Sequence, residues 1–161
     1  MKLVKVKSEY YDMLRIKNAD QEIMANELGR PCVLLIDMLY KNKKRKFVIP
    51  LRSNISPTVP KEQYLSLPPN PNTKAHYHHG VHYIKLFPIV NTYIDHYNIE
   101  NNRYLMMIKK ILDRKEAEIV SSCKAYLKEC ENGNKHPMTP SIDKIIEILD
   151  DPEHVRHTSG F

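Results

Sequence analysis

The chain has no tryptophan, only three phenylalanines, four glycines and three cysteines among its 161 residues. So few glycines exclude a low-complexity or linker-like protein. The cysteines stand at 32, 123 and 130, an odd number without the spacing of a disulfide framework. Cys123 and Cys130 are seven apart on an expected helix, so they share a face and read as small core hydrophobes in a reducing compartment. No apolar run approaches the length of a membrane span. The N-terminal stretch Met1–Lys7 alternates charge with apolar residues and has no signal-peptide core. A cytoplasmic protein with no membrane partner is expected.

Charge is plentiful. Lys and Arg total 25 against 19 acids, a net charge of +6. On one domain, 1–161, that surplus attracts polyanions at long range, and it equally suits a plain soluble surface. Hydrophobic residues make up 42%, enough for a single sizeable core.

Periodicity divides the chain. Residues 2–6 alternate as a half-buried strand does. Ser8 is placed to cap a short helix with Tyr11, Leu14 and Ile16 inward and Tyr10 pointing elsewhere. A polar helical piece at 21–28 should stop at Gly29 before Pro31. Cys32–Leu39 is a continuous, β-branched apolar run and reads as a central strand. A basic turn at 40–45 returns as the hairpin partner 46–51, which Pro50 must end, bulge or confine to an edge. From 53 to 74 five of the eleven prolines crowd a segment with little periodicity, and a long loop is expected. Tyr83–Val90 reads as another strand. Helical spacing then covers 102–131, with a kink near Asp113 and a stop at Gly133, and a last helix spans 141–150 ahead of a tail at 152–161. Strands early and helices late predict an α+β domain with a small antiparallel sheet.

Several residues carry a likeness. Arg30-Pro31 precedes the central strand, Pro50-Leu51-Arg52-Ser53 closes the hairpin, Leu86-Phe87-Pro88-Ile89 ends a later strand, and Tyr104 opens the long helix. In this order, over roughly residues 1 to 150, the chain resembles the ToxN/AbiQ/CptN toxins of type III toxin–antitoxin systems. The resemblance implies a compact fold with a barrel-like antiparallel sheet and C-terminal helices. It also implies a sequence-selective endoribonuclease that needs no metal or other cofactor and serves in phage defence. Its partners would be target RNA and a small repeated pseudoknot RNA antitoxin, which it processes, which inhibits it and with which it alternates in a closed assembly. Ser53 falls at the family's active-site serine. Arg52 stands where Thr or Ser is usual, Arg30 where relatives often carry Lys or Arg, and Tyr10 at a tyrosine lining the cleft.

Metal-free RNA cleavage uses the 2′-OH as nucleophile and leaves a 2′,3′-cyclic phosphate and a 5′-hydroxyl. Guanidinium groups suit the charge that develops on phosphorus, which nominates Arg30 and Arg52. Ser53 would hydrogen-bond the phosphate or the 2′-OH; read alone, it is an ordinary strand-end serine. Tyr10 and Tyr104 could meet unpaired bases. Lys41, Lys43, Lys44, Arg45 and Lys46 form the densest positive cluster, suited to phosphate or simply to solvent. Among His76, His78, His79 and His82, the last two are further RNA-contact candidates. The stretch could instead be a solvated loop and strand start, supply an acid–base pair, or hold a metal, although no carboxylate or cysteine neighbour completes four ligands. A non-catalytic RNA-binding module and a metal-binding protein built on 76–82 are the rival readings.

Overall fold

Alternation makes the first element and decides the two faces of everything that follows. In the computed structural model, which describes residues 1–20, 22–23 and 33–158, Lys2–Val6 forms β1. Leu3 turns to one core while Val4 and Val6 turn to another. Helix α1 follows at Ser8–Ile16. Lys7 rather than Ser8 is the capping residue, and the Ser8 hydroxyl turns to Glu9 instead of the helix backbone. Ile16 is 80% exposed, because the inward stripe is Tyr10, Tyr11, Met13 and Leu14. The helix expected at 21–28 lies outside the described residues, apart from a turn at 22–23.

The apolar run and the basic segment become a hairpin of β2, Val33–Tyr40, and β3, Lys43–Ile55. The expected six-residue turn contracts to Lys41-Asn42, both at positive φ (49° and 65°), a two-residue reversal whose twist matches the strands. Pro50 does not end β3. It faces Val33 at the start of β2, where β2 pairing stops, and β3 runs on against β5.

The proline-rich segment holds more structure than a loop. Its Tyr64–Leu67 is strand β4, preceded by a 3-10 turn at Lys61–Gln63. Strand β5 is His78–His82. Tyr83–Lys85 is a 3-10 turn, so only Phe87–Ile89 of the expected 83–90 strand forms β6. Ile94–His96 adds β7. All pairings are antiparallel, and the sheet runs β4-β5-β3-β2-β1-β7 with β6 also on β3. Among the described residues no pairing joins β4 to β7, so the sheet is open where a barrel-like one is expected.

Helices α2 (Arg103–Arg114) and α3 (Glu116–Glu131) break between Arg114 and Glu116, as the kink predicts. Gly133 follows α3 at φ +85°, the left-handed stop that suits glycine. Helix α4 is Ile142–Asp150, and the expected tail contains α5, Pro152–Thr158. No helix among the described residues is long and apolar enough to cross a membrane.

Ile108, Leu112, Ile119, Cys123 and Leu127 of α2 and α3 cover one face of the sheet with Leu34, Ile36, Phe47, Ile49 and Leu51. Helix α1 and the Ile145–Leu149 edge of α4 cover the other with Val4, Val48 and Phe87.

Candidate functional site

Where β3 leaves β2 and joins β5, alternation sends Leu51 into the α2–α3 core and Arg52 to the opposite face. Arg52 pairs in register with Gly80, and Leu51 with Val81. Gly80 is required there by contact: a Cβ on it would lie 2.4 Å from the Leu65 carbonyl oxygen of β4. His82, two residues along on the same face, places Nδ1 3.2 Å from Nη1 of Arg52. Since a guanidinium only donates, Nδ1 is the acceptor and the imidazole proton sits on Nε2.

The surroundings keep that imidazole neutral. Burial, then the charges of Arg52 and Lys85, with His136 adding to them, push the His82 pKa from 6.5 down to about 3. Lys85, itself buried, holds Glu22 at 2.9 Å. Burial also lowers the Arg52 pKa, partly countered by Glu22. At neutral pH His82 is a fixed acceptor and not a proton shuttle. Among the described residues, two donors on this pair, Nε of Arg52 and Nε2 of His82, are buried without a partner.

Ser53 belongs to a second cluster. Its hydroxyl accepts from Nδ2 of Asn70 at 2.9 Å. Asn54 extends the lashing, its amide donating to the Asn72 carbonyl and its Oδ1 accepting from the Lys74 backbone N–H. Two residues before Asn70, the Pro68 carbonyl takes the Tyr104 hydroxyl and lies 2.8 Å from Nδ1 of His79. Tyr104 and His79 also stand 2.8 Å apart. The turn 68–74 thus joins Ser53 through the Asn70 side chain, and His79 and Tyr104 through the Pro68 carbonyl. Sequence reasoning missed Asn70 and Lys85. The Asn70-Pro71-Asn72-Thr73 string carries a turn signal that could have found the first; Lys85 has no signal in an otherwise apolar strand.

Tyr10 requires correction. It does not line a cleft: it is fully buried, stacks on Phe87 with ring centroids 5.5 Å apart, and donates to the Pro88 carbonyl at 2.7 Å. Burial holds its hydroxyl well above the usual tyrosine range. His79 and His82 are only 4% and 3% exposed, so neither belongs to a solvated loop nor offers its ring to RNA at the surface. They project to opposite faces of β5, and among the described residues no three His, Cys, Asp or Glu side chains gather as metal ligands. Arg30 lies outside the described residues.

The basic cluster is largely paired. Arg45 is held by both carboxylate oxygens of Asp150, at 3.0 and 2.6 Å, and Lys43 reaches the same residue. Lys41 meets Asp143 and Lys46 meets Asp37, each at 3.0 Å. Lys44 has no acidic partner among the described residues. It borders a groove of about 430 Å³ shared with Asp37 and Leu39 of β2 and with Lys124, Lys128 and Glu131 of the facing helix.

An α+β fold with an open antiparallel sheet, C-terminal helices and a charged strand end is the class defined by these observations. It has a counterpart among solved structures: a protein of a bacterial antiviral system regulated by a processed non-coding RNA. The two share 15% identity and superpose with a TM-score of 0.66 over 91% of this chain and 96% of the other. At that identity the likeness is one of fold. No family model and no curated protein matches the sequence.

Proposed function

We propose that this chain is the endoribonuclease toxin of a type III toxin–antitoxin pair, cutting RNA without a metal and restrained by a cognate RNA. The observation that carries the reading is the likeness of fold to the RNA-regulated antiviral protein over nearly the full length of both chains. The end of β3 supplies the chemistry. The RNA 2′-OH attacks the adjacent phosphorus, the bond to the 5′ oxygen breaks, and a cyclic phosphate and a 5′-hydroxyl result. Arg52, with Arg30 as a second cation, stabilises charge on the non-bridging oxygens, the largest contribution such a site makes. Ser53, with its oxygen already an acceptor, has a hydroxyl proton to give to the phosphate or the sugar. The groove at Lys44, Lys124 and Lys128 is an approach for the polyanion. The partners in this reading are target RNA and a small repeated pseudoknot RNA, closed with the protein into one assembly.

The test is incubation with mixed RNA in EDTA, from protein freed of bound RNA, with chemical analysis of new ends. Cyclic-phosphate ends at a recurrent short motif are expected. Intact RNA would sink the nuclease reading and leave a non-catalytic RNA-binding module. Ser53→Ala and Arg30→Ala should each abolish growth arrest in a folded protein; if both remain toxic, the site is elsewhere.

A further inference from the structure

We propose that Arg52 and His82 together form a seat for one phosphate group, with His82 as the positioning residue and the Nε/Nη2 edge of Arg52 as the clamp. That the phosphate is RNA's rests on the ribonuclease reading; the seat itself does not.

The argument begins with the shape of a guanidinium. It offers two parallel N–H bonds along the edge shared by Nε and Nη2, the geometry that meets two oxygens of a phosphate. In this protein Nη1 is spent on Nδ1 of His82. The other edge is left whole. Among the described residues its Nε is buried with no partner, and no group takes Nη2. A buried, charged donor without an acceptor is costly, and native interiors complete such a group with water, a ligand or an ion. Arg52 as a whole is only half-buried, so part of its side chain meets solvent while Nε is covered.

His82 suits the aiming role. It is 97% removed from solvent by β5 and its neighbours, and its partners in the sheet fix its place: Tyr64 lies opposite in β4, and Gly80 faces Arg52 in β3. A neutral imidazole there adds an acceptor without adding charge. Among the described residues the other lysine or arginine at the site, Lys85, is occupied by Glu22, which leaves Arg52 to meet an anion. Ser53, next in the chain, brings its hydroxyl to the same strand end.

The seat is tested on the full chain, labelled with nitrogen-15 and titrated with inorganic phosphate at neutral pH. A saturable shift of the Arg52 Nε–H signal is expected, with His82 carrying its proton on Nε2 throughout. Arg52→Lys, which keeps the charge and loses the edge, should weaken phosphate binding about tenfold or more, read from the backbone amide signals of Gly80 and His82. His82→Leu should weaken phosphate binding about tenfold or more. His82→Gln, which restores an acceptor, should recover most of it, a rescue that a purely structural histidine would not show. An Arg52 signal indifferent to phosphate, a proton found on Nδ1, or unaltered affinity in folded His82→Leu would each overturn the proposal. Should His82→Leu fail to fold, the wild-type titration and Arg52→Lys still decide. Phosphate binding with intact RNA would defeat the nuclease reading and keep the seat; RNA cleavage with no Arg52 response would do the reverse.

Discussion

Tyr10 shows how one hydroxyl can serve packing alone. Its ring lies between Phe87, Tyr93 and Tyr11, and its O–H meets the Pro88 carbonyl. Tyr10→Phe keeps the ring and strands a buried acceptor, so stability should fall by about 1–3 kcal/mol in chemical denaturation. On the proposed ribonuclease reading, RNA cleavage per folded molecule should not change. His82 has a different signature. Unfolded, it takes a proton near pH 6.5; folded, only near 3. Between those values the unfolded state binds more protons, so stability is full above 6.5 and falls as the pH drops toward 3. Melting temperatures measured across that window should decline in the wild type and decline less in His82→Gln. Equal slopes would mean that His82 titrates normally in the folded protein.

At the level of elements, the basic hairpin and the last helices hold one another. Arg45 is mostly covered and forked onto Asp150, the last residue of α4, while Lys41 reaches Asp143 near its first turn. Arg45→Ala should destabilise by about 1 kcal/mol, and a double-mutant cycle with Asp150→Asn should show coupling. Lys44→Ala should leave stability unchanged and, on the proposed reading, flatten the salt dependence of RNA binding. The sequence showed five cations in six positions, but the carboxylates that neutralise four of them include residues a hundred positions away, beyond the reach of any local pattern. Elements with strong periodicity, β1, β2 and α2 to α4, were legible for the same reason that they are stable: each has one continuous apolar face. Strands β4, β5 and β7 were not. They are three to five residues long, and β4 and β5 lie among prolines and histidines, where pairing between distant segments overrides local propensity. Arg52 and Ser53 were legible as site candidates by their place in a tetrapeptide. The partnership of Arg52 with His82 depends on a strand register that the sequence does not display.

For the molecule as a whole, α4 matters beyond its nine residues. Ile142 packs into the α2–α3 core and Ile145 and Leu149 into the α1 core, so one helix seals both faces of the sheet. The turn after α1 is tied to it as well, with Asp20 accepting from the Ser141 backbone N–H. Ile145→Ala should therefore cost about 2–5 kcal/mol and still give one cooperative transition, seen alike by near- and far-ultraviolet circular dichroism. Two separated transitions would show that the cores unfold independently.

The passage of β3 from one partner to another also sets an order of assembly. Its first half zips onto β2 across a two-residue reversal, an event of microseconds. Its second half must wait for β5, which reaches it only after the intervening proline-rich segment has been drawn into place, a slower closure. In pulse-labelled hydrogen exchange the amides of Lys46–Ile49 should be protected before those of Leu51–Ile55. A nascent chain would thus carry a finished hairpin while Arg52 and His82 were still apart, and the proposed seat would form only when folding was nearly complete.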